Sequence, residues 1–319
     1  MSRSNPRVSV GLAVYNGENF LAEALDSLVG QTFEDFELII SDNASTDRTE
    51  EICRAYALRD RRIRYSRNRE NMGAAWNYNH LFHLASGEYF KWAAHDDVLH
   101  PDFLLKTVAA LERNPSMVLA YARVITINSQ GKPIRRDERR LRTDSPMPSI
   151  RFSDSVCNDP EGLAIFGIMR AEILKKTKLI ASYVGSDRPL LAELLFAGPF
   201  YEVPEWLFFH REHFQRSVRL LPDLHQRVAW FDTARQERVA LPNWRLVAEF
   251  LFTIRRASVP WTEKLRCCRH LGAWAWNRRR KLKTDIKFAV FHRTLLPFLK
   301  RRAPWTRPVW HAYRRMTSG

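Results

Sequence analysis

Over its first 127 residues the chain alternates short apolar runs with amphipathic stretches, and that alternation restricts it to a mostly parallel sheet with helices on both faces. Val8–Val14 reads as a buried strand. Asn16-Gly17-Glu18 turns it into a helix whose apolar positions Phe20, Leu21, Ala24, Leu25 and Leu28 keep the helical period. The unit repeats: Phe36–Ser41 is a second strand, Asp42-Asn43-Ala44-Ser45 ends it, and Thr46-Asp47 can cap a helix through Tyr56. Arg62–Ser66 is a third strand. Asn71-Met72-Gly73 then leads into a helix to Ala85 with Ala75, Tyr78, Leu81 and Phe82 on one side, and Tyr89–Ala94 is a fourth strand. A helix over Pro101–Arg113 and a strand over Met117–Ile127 complete this part.

In such sheets ligands sit beyond the carboxyl ends of the strands, so acids at strand ends are informative. Two places stand out: Asp42 after the second strand, and Asp96-Asp97, preceded by His95, after the fourth. Neighbouring carboxylates after a buried strand repel each other unless a cation sits between them. Carboxylate oxygens suit Mg²⁺ or Mn²⁺, which bind phosphate oxygens at the same time and so stabilise a leaving diphosphate. A bare Asp-Asp pair is also what helix caps and solvated loops look like, and Asp102 reads as a plain first-turn acid.

Beyond the first half, Ser129–Lys132 reads as a turn, and 133–158 is polar and irregular with Pro146 and Pro148, the pattern of a mobile loop able to close over a site. Gly162–Met169 is apolar, a short helix follows from Ala171, and Gly185-Ser186-Asp187 opens a helix over Pro189–Ala197. Phe200–Phe209 reads as a strand, and from about Pro222 the pattern is helical, broken near Pro242, Pro260 and Pro297. Charge divides the chain in two. Residues 264–319 hold sixteen Lys or Arg against one acid, Asp285, whereas the first 263 residues are nearly neutral. The four cysteines form no Cys-x-x-Cys pair, the first residues lack the pattern of a signal peptide, and no apolar run reaches the roughly 20 residues that span a bilayer. These features point to a cytoplasmic protein, peripheral on the membrane if its basic region binds there.

Five blocks in order carry a family resemblance: Val8-Ser9-Val10-Gly11-Leu12-Ala13-Val14-Tyr15-Asn16-Gly17-Glu18; Leu25-Asp26-Ser27-Leu28 with Gln31-Thr32; Glu37-Leu38-Ile39-Ile40-Ser41-Asp42-Asn43-Ala44-Ser45-Thr46-Asp47; Asn71-Met72-Gly73 with Asn77; and His95-Asp96-Asp97. The chain resembles the family-2 glycosyltransferases, which have the GT-A fold. The resemblance is strong over 7–127, loose over 160–217 and slight over the last hundred residues. It implies a GT-A domain over 1–217, with a nucleotide-sugar half at 1–127 and an acceptor half at 128–217, followed by a helical basic region at 218–319.

By the same resemblance Asp42 hydrogen-bonds the nucleotide base, Asn16 and Glu18 lie by the nucleotide, and Asn71, Gly73 and Asn77 belong to the donor site. Asp96 contacts ribose or diphosphate, and Asp97 ligates Mn²⁺ or Mg²⁺. His95 departs from the family's frequent third Asp and removes one negative charge. In His210-Arg211-Glu212-His213, the resemblance places a residue on the metal or over the diphosphate, with His210 and Arg211 the candidates. Inverting transfer needs a base for the acceptor hydroxyl, and Asp187 stands where the family places it, with Glu193 and Asp159 as substitutes. An Asp at a helix start is equally an N-cap. The donor implied is a UDP-sugar, and the acceptor a glycan or lipid-linked saccharide.

The basic region interleaves Trp274, Trp276, Phe288, Phe291, Trp305, Trp310 and Tyr313 with Arg278–Lys281 and Lys300–Arg302. That composition fits an anionic membrane surface first. It also fits nucleic acid, ranked lower, and a packed helical cap with a solvated basic face. The alternative to an enzyme is a non-catalytic sugar-nucleotide or nucleic-acid binder, against which the acids at 42, 96, 97 and 187 argue. A nucleotidylyltransferase would carry a Gly-rich, basic loop after the first strand, and Tyr15-Asn16-Gly17-Glu18 is not that loop.

Overall fold

Strands β1 (Val8–Val14), β2 (Phe36–Asp42), β3 (Ile63–Arg67) and β4 (Tyr89–Ala94) pair in parallel in the order β3-β2-β1-β4, as the alternation requires. This is a computed structural model, and it describes residues 5–159, 161–214, 231 and 241–290. Every residue of β1 and β2 is buried, because helices cover both faces. The crossovers are α1 (Leu21–Val29), α2 (Thr49–Arg59) and α3 (Ala74–Leu84). Leu21, Leu25 and Leu28 of α1 and Cys53 of α2 pack on one face of the sheet, and Ala75 and Leu81 of α3 on the other.

Beyond β4 the sheet becomes mixed. β8 (Ile168–Arg170) runs antiparallel between β4 and β6 (Leu119–Ile127), and β6 pairs in parallel with the long β9 (Phe200–Arg211). Two-residue β5 (Val98–Leu99) closes the far edge, and β7 (Pro133–Arg136) folds back on β6. Helix α4 (Phe103–Arg113) covers one face of this half, and the short α6 (Ala171–Leu174) and α7 (Asp187–Ala197) cover the other. The fold is therefore α/β with a mostly parallel sheet, and the structure adds β8, whose three residues are too few to show a period.

The second part of the 133–158 segment is packed, whereas 137–147 is largely exposed and irregular, as the sequence suggests. Helix α5 (Pro148–Ser153) and a π-turn (Asp154–Asn158) are packed against α7. Buried Arg151 donates to the carbonyl of Leu195 at 2.8 and 3.0 Å, and Asp154 accepts from Arg142 at 3.0 Å. Arg151 and Asp154 are thus buried with partners, while Arg136, Glu138, Arg140 and Asp144 remain exposed.

Among the described residues three C-terminal helices follow: α8 (Pro242–Arg256), α9 (Trp261–Asn277) and α10 (Arg279–Val290). Pro242 lies in the first turn of α8 and Pro260 just before α9, where a missing N–H costs nothing, so they start helices rather than break them. These helices share a hydrophobic cluster with the preceding region: Phe152 and Tyr183 meet Phe250, Ile254, Leu271 and Trp274. The 217/218 boundary and everything after 290 lie outside the described residues.

Candidate functional site

Because β2, β1 and β4 are adjacent and parallel, the loops at their carboxyl ends converge, and with the start of α3 they enclose a cleft of about 530 Å³. Asn16, Gly17 and Asn19 form one wall, Asn43, Asn71, Asn77 and Tyr78 another, and His95-Asp96-Asp97 the floor. Glu161, Leu163 and Phe166 close the far side, with His210 and His213 above the acids. Asn16 has a left-handed backbone, φ 51°, a conformation Asn tolerates through local hydrogen bonds. Its Oδ1 accepts from the backbone N–H of Thr46 at 2.8 Å, which ties the first loop to the second. Gly17 is required by proximity: a Cβ there would lie 2.7 Å from both His95 Cδ2 and Val14 Cγ2.

The floor acids are each met by a histidine. His210 Nδ1 donates to Asp97 Oδ1 at 2.9 Å, and His213 Nε2 donates to Asp96 Oδ2 at 2.9 Å. The same Asp97 oxygen accepts the backbone N–H of Arg211 at 2.9 Å. Burial pushes the Asp96 carboxyl up, but the His213 hydrogen bond and the positive charge of His95, His213 and His210 outweigh it and hold Asp96 below the ordinary carboxylate range. Among the described residues no three His, Cys, Asp or Glu side chains converge as a metal centre, and the two Asp–His pairs are closed by these hydrogen bonds.

Some of the expected residues lie behind the cleft surface. Arg211 is fully buried. Its Nε donates to the carbonyl of Asp96 at 2.8 Å, its Nη1 to Asn128 O at 3.2 Å, and its Nη2 pairs with Glu23 at 2.6 Å. It props the Asp96 loop from beneath and offers no group to a phosphate. Asp42 is fully buried too: Oδ1 accepts from Ser45 N at 2.9 Å, and Oδ2 accepts from Tyr65 OH at 3.0 Å beside Arg67. The residue facing the cleft at that strand end is Asn43, whose Nδ2 donates to Asn71 Oδ1 at 2.8 Å. Glu18 is exposed and accepts from Arg48 N at 3.1 Å, and Gly73 (φ 83°) supplies the left-handed start of α3. Asn77 lines the cleft while holding Ser41 through both ends of its amide.

After Ser186, whose side chain makes no capping bond, Asp187 stands in the first turn of α7. Burial raises it to about 6, against the opposing charge of Arg188 and weak backbone hydrogen bonds. It lies immediately behind the cleft wall: a Cβ on Gly162, a left-handed residue at φ 65°, would come 3.3 Å from Asp187 Oδ2. The Tyr78 hydroxyl is pushed up by burial and by the charges of Asp96, Asp97 and Asp187, which places it in the field of all three. Of the substitutes, Asp159 is committed to the Gly162 N–H at 3.0 Å, and Glu193 points toward Arg256 of α8, 3.8 Å away. Sequence reasoning missed Glu161, which lines the cleft and pairs with Arg135 at 2.9 Å, and gave no role to Asn43, Tyr78 or His213. Only their position on the strand-end side hints at them.

The family model described as Glycosyl transferase family 2 matches residues 9–176. The putative glycosyltransferase EpsE of Bacillus subtilis (strain 168) is 39% identical over 112 residues, 35% of this chain and 40% of that protein. An uncharacterized glycosyltransferase of Haemophilus influenzae is 28% identical over 219 residues, 65% of this chain and 66% of that one. The chain spans about a quarter to two thirds of the length of these and other curated relatives. Among solved structures, S. aureus TarS 1-349 in complex with UDP-GlcNAc aligns with a TM-score of 0.54 at 16% identity, covering 88% of this chain and 90% of that one. The mannosyltransferase PcManGT from Pyrobaculum calidifontis, in complex with GDP-Man and Mn²⁺, aligns with a TM-score of 0.56 at 18% identity, covering 98% and 84%. At these identities the likeness is one of fold.

Proposed function

The chain belongs to glycosyl transferase family 2, and from that premise we propose that it transfers a sugar, with inversion, from a nucleoside diphosphate sugar bound in this cleft to a hydroxyl of a glycan or lipid-linked saccharide. The observation that carries the reading is the placement of Asp96 and Asp97 at the carboxyl end of β4, on the floor of a polar cleft, each held by a histidine from β9 or just beyond it. A sugar nucleotide needs such a floor, because its diphosphate is the charge to be met, and it needs amide-bearing walls such as Asn43 and Asn71 to meet its base and ribose. TarS and PcManGT, solved in complex with UDP-GlcNAc and GDP-Man, support a sugar nucleotide as the donor class. We read it as a UDP-sugar.

Asp97 and His210 would hold Mn²⁺ or Mg²⁺ once their mutual hydrogen bond opens, with Asp96 and His213 beside them. When bound, the cation supplies charge neutralisation for the departing diphosphate. The chain's own groups do the rest. Arg211 keeps the Asp96 loop from sagging, Gly17 lets the first loop close on His95, and Asp187 takes the acceptor proton as the hydroxyl attacks the anomeric carbon from the face opposite the diphosphate. The domain limits 1–217 and 218–319 are part of the same proposal. A thermal-shift panel of UDP-, GDP- and dTDP-sugars with and without Mn²⁺, on wild type and Asp97→Asn, tests it. A metal-dependent shift with one nucleotide, lost in the variant, is expected; no shift with any of them would favour a degenerate or nucleic-acid-binding protein.

A further inference from the structure

We propose that the outward side of α9 is a docking surface for an anionic lipid bilayer. The helix is apolar on two opposite sides. Cys267, Leu271 and Trp274 face inward, into the cluster shared with α5 and α8. On the other side Trp261, Leu265, Cys268, Gly272 and Trp276 succeed one another at helical spacing, within a sector of about 80°. Trp261 is 73% exposed, Leu265 61% and Trp276 69%. A helix that merely caps the domain needs only its inner stripe. The outer one is left facing solvent among the described residues, with a tryptophan at each end about 22 Å apart along the axis.

Charge selects the occupant. Lys264 and Arg269 border the stripe on its two sides, and the Arg279 guanidinium lies 5.1 Å from the centre of the Trp276 ring. The two acids in α9 and α10 are both turned inward and buried. Glu263 accepts from the Ser149 N–H at 2.8 Å, and Asp285 from the Asn243 N–H at 2.8 Å. The outer surface of these helices therefore presents Lys and Arg with no carboxylate among them, including Arg280, Lys281, Lys283 and Lys287. Cations flanking an apolar stripe that ends in indoles match a lipid surface at three levels: phosphates for the cations, the headgroup zone for tryptophan, and acyl chains for leucine. Nucleic acid would meet the cations and stack on the indoles but has nothing to cover Leu265.

The surface is coupled to the cleft. Trp274, on the inner side of α9, lies 5.5 Å from the Arg188 guanidinium, next in sequence to Asp187. The bilayer plane would then run about one helix diameter, ~10 Å, from the start of α7. An acceptor sugar carried by a membrane-anchored glycan reaches Asp187 from that plane. This last consequence rests on the transferase reading; the surface itself does not.

The test is sedimentation of the full chain with vesicles of phosphatidylcholine, alone or mixed with phosphatidylglycerol. The wild type is compared with Trp261→Ser/Leu265→Ser/Trp276→Ser and with Lys264→Gln/Arg269→Gln/Arg279→Gln. Binding to the anionic vesicles only is expected, weakened at least about tenfold in either variant, with unchanged mass by light scattering, unchanged Tm and an unchanged UDP-sugar thermal shift. A serine variant that sediments like wild type overturns the proposal. So does one that turns a dimer into a monomer, or melts earlier, since a second copy or another part of the chain would then cover the stripe. Oligonucleotide binding lost in the same variants, with no vesicle binding, overturns it in favour of nucleic acid. Because the assay needs no turnover, an inactive protein that still binds vesicles would sink only the transferase reading.

Discussion

One oxygen of Asp97 accepts from two donors of the same strand end, His210 Nδ1 and the Arg211 N–H, each at 2.9 Å. The fourth strand of the sheet and the last are thereby joined at the floor of the cleft, and the Asp97 carboxylate is fixed before any ligand arrives. Asp97→Asn keeps the shape and removes the charge. It is expected to lower kcat at least ~100-fold and to abolish any Mn²⁺-dependent thermal shift, while nucleotide-free Tm changes little. His210→Ala is expected to weaken apparent Mn²⁺ affinity by roughly 10–100-fold, read from activity against metal concentration.

Gly17→Ala tests the close approach of the first loop. The new methyl group would meet the His95 ring at one side and Val14, a core residue of β1, at the other, both at 2.7 Å. Val14 is held by the sheet, so His95 or the loop must move. A stability loss of about 1–3 kcal/mol in urea and a rise in donor KM are expected, with a smaller change in kcat.

Arg211→Met asks what a fully buried guanidinium does under the site. It removes the donors to Asp96 O and Asn128 O and leaves Glu23, already half exposed, to water. The Asp96 carbonyl loses its side-chain donor while Asn128 O keeps the Gly131 N–H at 3.0 Å, which points to a loss of roughly 1–3 kcal/mol in urea unfolding. If Arg211 held phosphate instead, donor KM would rise far more than stability falls.

The strand-end acids and the parallel half of the sheet were legible because each buried strand carries its own period and its own polar stop. Asp96-Asp97 after Tyr89–Ala94 could hardly lie anywhere but at the ligand edge. Asp42 and Arg211 follow the same rule and yet point inward, since a strand-end position fixes where a Cα lies and not where the side chain finds a partner. Tyr65 and Arg67 capture Asp42 across the neighbouring strand, a pairing that the separate strands do not reveal. Glu161 has no periodic neighbours, and its place in the cleft is set by Gly162 and β8. The 148–158 segment reads as polar because the groups that bond its buried Arg151 and Asp154, Leu195 O and the exposed Arg142, lie outside it.

Lys91 is the least expected charge in the core. It is buried in β4, with its ammonium donating to the carbonyls of Phe166 and Trp92 and lying 4.7 Å from the Phe103 ring centre. Burial brings it down to about 7, with Asp97 opposing the shift. The unfolded chain keeps this lysine protonated to about pH 10.4, so between about 7 and 10.4 the unfolded state binds more protons and stability rises with pH. Lys91→Met is expected to flatten that slope; the relieved charge penalty at pH 7 or below is offset in part by the Phe166 carbonyl that loses its donor, so the variant gains more relative to wild type at pH 6.5 than at pH 9.5. Urea unfolding of both proteins at pH 6.5 and 9.5, set by the window above, decides it. An equal slope would mean that Lys91 stays charged throughout.

Asp187 and Glu161 compete for the acceptor proton, and pH separates them. The Asp187 carboxyl is raised by burial to about 6, above its unfolded value of about 3.9. The folded state therefore binds the extra proton, so this group's stabilising contribution is complete below about pH 4 and is lost as pH rises through 6. Asp187→Asn removes an ionised, half-buried group at neutral pH and is expected to stabilise the fold by on the order of 1–2 kcal/mol at pH 8 and by little at pH 4. If Asp187 is the base, the same variant loses turnover by ~10²–10⁴-fold, and the wild-type kcat/KM rises through an acid limb near pH 6 that the variant lacks. Glu161→Gln would then keep the acid limb and change mainly acceptor KM. The opposite pattern, with turnover lost in Glu161→Gln and the limb retained in Asp187→Asn, would move the base to the residue that lines the cleft and leave Asp187 as a buried acid that shapes Gly162.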